Sequence, residues 1–456
     1  MKRFILFFFA VLLSLNVHHS DSCDFNIIHE LELGSQPMRV LYDDPRNEYH
    51  VFCNGMDVNY NGIYEEDQGD EKPSWWIVTL SETNEVDYEK VRDFELGYFT
   101  PTVLLNCLDQ STRKLYVPFA PTYDEDFNIV DQGKVAIYDL DDHSLIDEEF
   151  LSINPTSISF YGNVLFITGQ NDDLENKVYA YDRFSHEFLD EMNAGVHVQQ
   201  VAAHFHHAAH LSVAILNEGH FGQNNSTLMM CDFKYKKFGD PQIIELGDTG
   251  HTILAREDDF VVTMNGSHKI LFINEKNIER EVEISTSGYN GPRETVFYGN
   301  LMIVSTYAGN IYLYEKVDDK YYLYDQVEIN TNIESLLLNR GFLFATSPLD
   351  ASYNTLKKVY ILRDQWNSVD DDIGSLMIYP NPANTVLNLT IKSDDHTGYA
   401  QIDIFSARGE LIFYDEINLN NDMNKQIDIS GFSQGSYYLK LSYGSKMEVI
   451  NFSVIR

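Results

Sequence analysis

At 456 residues the chain is too long for one ordinary core, so it divides into domains unless a closed repeat architecture absorbs the length. A hydrophobic fraction of 44% excludes global disorder, and 29 Tyr and 28 Phe against 3 Trp favour strands. The net charge of −38, carried almost entirely before Gly374, excludes nucleic acid and anionic membrane as partners. It suits cations or basic partners, although solubility alone accounts for it as well.

The first residues, MKRFILFFFAVLLSLNVHHSDSC, place Lys2 and Arg3 before an apolar run from Phe4 to Leu15. That order reads as a secretory signal peptide over residues 1–22, too short for a stable membrane span. The chain holds four cysteines: Cys23, Cys53, Cys107 and Cys231. Their spacing matches neither a disulfide framework nor a CxxC metal site, so they read as isolated buried thiols.

From Met38 to Arg363 one unit recurs, plainest in SISFYGNVLFITGQNDDLENKVYAYD, residues 157–182. It reads strand, tight turn, strand, polar loop, strand. Equivalent third strands end at Leu80, Asp139, Asp182, Asp232, Asn274, Glu315 and Arg363, at roughly 40–60-residue intervals, which is a blade period. First strands such as PTSISFY and VQQVAAHF are apolar at nearly every position, as doubly buried strands must be. Fourth strands such as SLIDEEF are polar and alternating. Four strands in each of seven units predict an all-β fold, a seven-bladed β-propeller over residues 24–363. The seventh unit lacks an outer strand. FNIIHELEL, residues 25–33, is expected to supply it and close the ring without a free edge.

Residues 364–374, DQWNSVDDDIG, read as an acidic linker. Residues 375–456 then give short alternating strands with turn signals, the pattern of a small immunoglobulin-like β-sandwich. In this segment MIYPNPANTVLNLTI, AQIDIFSARGELI and ISGFSQGSYYLKLSYGSKMEVINFSVIR closely resemble the type A C-terminal sorting domain of the type IX secretion system of Bacteroidota. The resemblance implies the type IX machinery as a partner, passage through the outer membrane, and release or attachment at the cell surface.

In a propeller of this strand order, loops after second and fourth strands share one face. The large insertions, residues 54–74, 120–132, 169–177, 217–226 and 347–357, all follow second strands. That built-up face is where a binding site is expected. The loop at 54–74 contains Asp57, Asn59, Asn61 and Gly62 in a D-x-N-x-N-G order. The carbonyl of Ile63 and the carboxylate of Glu65 could complete a calcium shell. Gln68 stands where the bidentate Glu of such loops falls, so a solvated acidic turn remains an alternative. The run LNEGHFGQNNSTL, residues 216–228, resembles a motif of YVTN/YncE-like surface propellers. Its plainer reading is a turn shaped by Gly219 and Gly222, with Asn217 and Asn224 bonding its backbone.

His197, His220, Phe221, Tyr289 and Arg293 are the ligand-binding candidates. Aromatics with a few His and Arg suit a polar organic ligand through stacking and directed hydrogen bonds. The histidines of AAHFHHAAH (His204, His206, His207, His210) fall on the trimmed face with no carboxylate nearby in sequence. Catalytic motifs of the G-x-S-x-G, HExxH and P-loop types are missing, so enzymatic activity is left open with a lean against it. The expected function is an exported propeller that binds a small molecule or a protein partner. The alternatives are a lactonase-like metal hydrolase or lyase using Glu294 and Glu334 at the central channel, and a structural surface protein.

Overall fold

A computed structural model describes residues 25–455 except 60–63, 82, 95–106, 120–121, 124–128, 132, 151–153, 172–174, 208–209, 257–258, 275–276, 365–375, 380–382, 392–396, 407–410, 421–422 and 444–445. The signal-peptide reading and nearly all of the linker reading lie outside these residues. Among them every regular element is a β-strand apart from two three-residue 3₁₀ turns, and no helix is long and apolar enough to cross a membrane.

Seven antiparallel sheets of four or five strands lie between Phe25 and Asp364. The third sheet is the simplest: Asn154–Tyr161, Val164–Gln170, Asn176–Asp182 and Phe188–Asn193 pair in sequence order. Its two middle strands bury nearly every side chain while Phe188–Asn193 is largely exposed. The polarity gradient along the unit is therefore a radial one, from doubly covered strands to a wetted rim.

The apolar clusters run between sheets rather than within them. Phe52 and Trp75 of the first sheet pack on Leu115, Val117 and Tyr138 of the second. Similar clusters join each later sheet to the next, and the last joins Phe344, Val359 and Ile361 of the seventh sheet to Val40, Tyr49 and Val51 of the first. Sheets linked in this cyclic order form a propeller.

Closure of the ring is by strand pairing. Strand Phe25–Glu32 pairs antiparallel with Thr355–Asp364, from Phe25 opposite Asp364 to Glu32 opposite Lys358. Strand Phe25–Glu32 thus becomes the outer strand of the last sheet, as the sequence predicts.

On the trimmed face an acid at the far end of a first strand is gripped by an arginine from the following sheet. Arg113 donates to both oxygens of Asp43 at 2.6 and 2.8 Å. Arg183 does the same to Asp109 at 2.6 and 2.5 Å. Burial pushes the Asp109 carboxyl up, but Arg183, Thr112 and Ser111 outweigh it and hold the group below the usual carboxylate range.

The tail forms two further sheets, one of Leu376–Tyr379, Val386–Ile391 and Met423–Asp428, the other of four strands between Thr397 and Val454. They share a core of their own that includes Leu387, Leu389, Ile402, Ile404, Leu439 and Leu441.

Candidate functional site

The loop between His210–Asn217 and Ser226–Lys234 is braced from within. Asn217 accepts the Gly195 amide on Oδ1 at 2.9 Å and the Ser226 hydroxyl on its carbonyl at 2.8 Å. Gly219 turns the chain at φ +73°, where an added Cβ would stand 2.8 Å from the Ser226 amide nitrogen. The next brace comes from Asn225, which accepts the His220 amide at 2.7 Å. Asn224, expected in that role, supplies a left-handed backbone at φ 51° instead. Asp248, from the following loop, accepts the Gly222 amide at 2.8 Å.

This frame holds Phe221 outward. Its ring stacks on Tyr289 from the next inter-sheet loop, with centroids 4.7 Å apart and planes 19° from parallel. Phe221 is 46% exposed and Tyr289 67% exposed, so the stack stands in solvent rather than closing a core. Beside it, His197 and His220 meet edge to face at 4.8 Å. His197 Nδ1 lies 3.0 Å from the Gly219 carbonyl. A carbonyl only accepts, so Nδ1 carries the proton in that bond. Four of the five ligand-binding candidates therefore form one patch.

The fifth, Arg293, sits on strand Pro292–Tyr298 toward the propeller axis. Its guanidinium donates to both oxygens of Glu334, at 3.0 and 2.8 Å, and lies 4.5 Å over the Tyr307 ring. His251 Nε2 stands 3.2 Å from Glu334, and the Tyr307 hydroxyl donates to it as well. Burial pushes the Glu334 carboxyl up, but the charge of Arg293 and the bond from His251 hold it well below the usual carboxylate range. Burial and the Glu334 charge push the Tyr307 hydroxyl well above its ordinary value. Glu218 at the loop base accepts from Gln199 at 2.6 Å, and its charge also bears on Arg293. The patch and the axial cluster are thus electrostatic neighbours.

Glu294, the other channel carboxylate, is equally committed. Its Oε1 accepts from Arg39 at 2.5 Å and its Oε2 from the Leu336 amide at 2.7 Å.

Of the calcium candidates, Asn61 and Ile63 lie outside the described residues. Asp57 accepts the Asn59 amide at 3.1 Å, and the Asn59 side-chain amide points at Glu65 at 3.4 Å. Asp70 fastens the loop: it accepts the Val58 and Glu65 amides at 2.8 and 2.7 Å.

His204 and His210 find structural places. His204 packs on Phe260 at 4.3 Å, and His210 reaches Asp232 at 2.9 Å, a carboxylate the linear sequence leaves 22 residues away. His251 is the second residue of strand Gly250–Arg256. Trp75 is fully buried between the first two sheets, and Trp76 is half-buried.

Among the described residues one trio, Asp43, Glu48 and His50, brings three metal-type ligand atoms within 4.8 Å of one another. Its chemistry is wrong for a metal. Trp75 Nε1–H donates to His50 Nδ1 at 3.0 Å, which places the imidazole proton on Nε2, the atom facing Glu48 at 3.8 Å. Arg113 already holds both oxygens of Asp43.

A family model for the secretion system C-terminal sorting domain matches residues 377–456. No curated protein matches the chain. Among solved structures, BBS1N in complex with ARL6DN resembles it with a TM-score of 0.51 at 10% identity, over 76% of this chain and 98% of that one. The WD40 β-propeller domain of Doa1 gives 0.50 at 12% identity, over 76% and 99%. Identities this low show the β-propeller fold alone. The sorting domain assigns the chain to type IX export, to the cell surface or beyond.

Proposed function

We propose that this exported propeller is a binding module whose ligand stacks on the Phe221–Tyr289 platform. The carrying observation is that platform itself: two aromatic rings from different loops, stacked in solvent on a frame of five hydrogen bonds to the loop backbone or its flanks. Exposed stacked aromatics offer a flat apolar face, and the frame that fixes the Phe221 loop lowers the entropic cost of binding there. His197 and His220 stand beside the rings as directional hydrogen-bonding groups. The ligand this suits is a small polar organic molecule with one flat face.

The metal-hydrolase reading is less well supported. Every oxygen of Glu294 and Glu334 already accepts a bond from Arg39, Arg293, His251, Tyr307 or the Leu336 amide. A divalent cation at the axis would have to displace an arginine from a buried carboxylate.

Native mass spectrometry of the mature propeller, taken from the secreted fraction, tests the binding reading. The wild type should carry a small-molecule adduct that the Phe221→Ala/Tyr289→Ala variant lacks. An adduct retained by the variant, or turnover without retention, sinks it.

We further propose calcium in the loop at residues 54–74, supported by the alternate oxygen side chains of Asp57, Asn59 and Asn61 and by Glu65 turned toward Asn59. Saturation about 100-fold above the dissociation constant would stabilise the fold by roughly 2.7 kcal/mol. A melting temperature indifferent to millimolar calcium, or unchanged in its calcium response by Asp57→Ala, rejects the site.

A further inference from the structure

A shallow cleft, open to solvent, lies between the fifth and sixth sheets where Arg256, Asp259, Phe272, Arg280, Lys316 and Tyr321 meet. It stands at the trimmed end of the first strands, away from the Phe221 platform. Three cations converge there in a chain with 32 basic and 70 acidic residues, which makes the cluster an exception to its surroundings.

The cleft is built. Phe272 and Tyr321 stack at 5.2 Å with planes 15° apart, forming a rigid floor. The Arg280 guanidinium lies over both, 4.7 Å from the Phe272 centroid and 5.7 Å from that of Tyr321. Arg256 is only 7% exposed. It donates to the Tyr321 hydroxyl at 3.1 Å and to the Gly299 carbonyl at 3.2 Å, so its charge is fixed in the wall. Among the described residues no carboxylate pairs with Arg280, and Lys316 is ion-paired at 3.4 Å with Asp319, which is exposed and replaceable. Asp259 is the one carboxylate on the wall.

An arginine held by ring faces spends its π surface there, not its N–H groups. The edge donors of Arg280 stay available for an acceptor, and Lys316 can exchange its exposed partner Asp319 for one, beside the guanidinium of Arg256 in the wall. We infer that this cleft binds a compact oxyanion, phosphate or sulfate, either free or as an ester on a polymer. Guanidinium and ammonium donors converging on one small opening are the usual chemistry for such a group. The site is distinct from the Phe221 platform and does not depend on that reading.

The test measures thermal shifts and calorimetric binding of the full-length chain with sodium phosphate, sodium sulfate and dextran sulfate. Sodium chloride at matched ionic strength is the reference, and Arg280→Gln and Lys316→Gln are the variants. Phosphate and sulfate stabilise proteins generally by exclusion from their surfaces, so only a saturable, variant-sensitive response counts. The expected result is saturable binding that weakens at least tenfold in Arg280→Gln and measurably in Lys316→Gln. A response to the free ions assigns the cleft to a soluble anion. A response to dextran sulfate alone, lost in Arg280→Gln, assigns it to a polymer ester. Shifts that do not saturate, or that are equal in wild type and both variants, overturn the proposal. Because each variant is compared with its own chloride baseline, a change in intrinsic stability does not confuse the outcome.

Discussion

Arg293 donates through both Nε and Nη2 to Glu334, at 3.0 and 2.8 Å, across a separation of 41 residues and two adjacent sheets. The geometry is bidentate and the site is largely closed to water, so this pair differs from the rim pairs such as Lys177–Glu191. Removing either partner alone leaves a buried charge unmatched. Glu334→Ala or Arg293→Ala should therefore cost about 3–5 kcal/mol in urea unfolding. The double substitution Arg293→Met/Glu334→Leu should cost much less than the sum. A single-mutant loss under about 1 kcal/mol would class the pair with surface ion pairs instead.

His50 supplies a pH dependence of known sign. It is fully buried, and burial, with repulsion from His143, Arg113 and Arg46, pushes its pKa down to about 3. The unfolded chain takes up this proton near pH 6.5 and the folded one does not. Stability should accordingly be unaffected by His50 above about pH 6.5 and fall by up to about 1.4 kcal/mol per pH unit between there and pH 3. His50→Gln keeps an acceptor for the Trp75 N–H and removes the titration. A urea-midpoint profile between pH 7 and 4 should be flatter in that variant by the His50 share. An identical slope would show that other groups carry the acid sensitivity.

The ring and its closure were legible because they rest on local pattern. Alternation, apolar first strands and the orphan strand at residues 25–33 are written in short windows. The Phe221 platform was half legible. The sequence names Phe221 and Tyr289, yet nothing in either segment says that the chain between them, 67 residues long, brings the rings to 4.7 Å. Arg293 was placed with them on composition, while its strand turns it to the axis and into Glu334. The Asp43–Arg113 and Asp109–Arg183 grips, and the Arg280 cleft, had no linear signal, because each joins residues from different sheets. A residue's sheet can be read from period; its neighbour across the ring follows only from the closed geometry.

Phe221 and Tyr289 should separate binding from folding. Neither ring belongs to an inter-sheet cluster, and both are well exposed. An exposed aromatic pair contributes about 0.5–1.5 kcal/mol. Phe221→Ala and Tyr289→Ala should therefore lower the unfolding free energy by no more than that, while abolishing ligand retention. A larger loss in both would mean that the stack holds the loops together and is not a docking platform.

The closing strand gives the most decisive stability test. Phe25, Leu31 and Leu33 are each buried, Phe25 in the cluster between the sixth and seventh sheets and the two leucines in the cluster between the seventh and the first. The strand also fills the hydrogen-bonding edge of Thr355–Asp364. Removing residues 25–33 therefore opens two interfaces at once and exposes a long unpaired edge. The whole ring should lose cooperative unfolding, because each sheet is stable only between two neighbours. A gentler probe is Leu31→Ala, expected to cost about 2–5 kcal/mol as a buried leucine truncation. Hydrogen exchange should then rise in the first, sixth and seventh sheets together. Exchange confined to the end of Thr355–Asp364, with the melting midpoint of the truncated chain unchanged, would mean that the strand merely decorates a ring already closed without it.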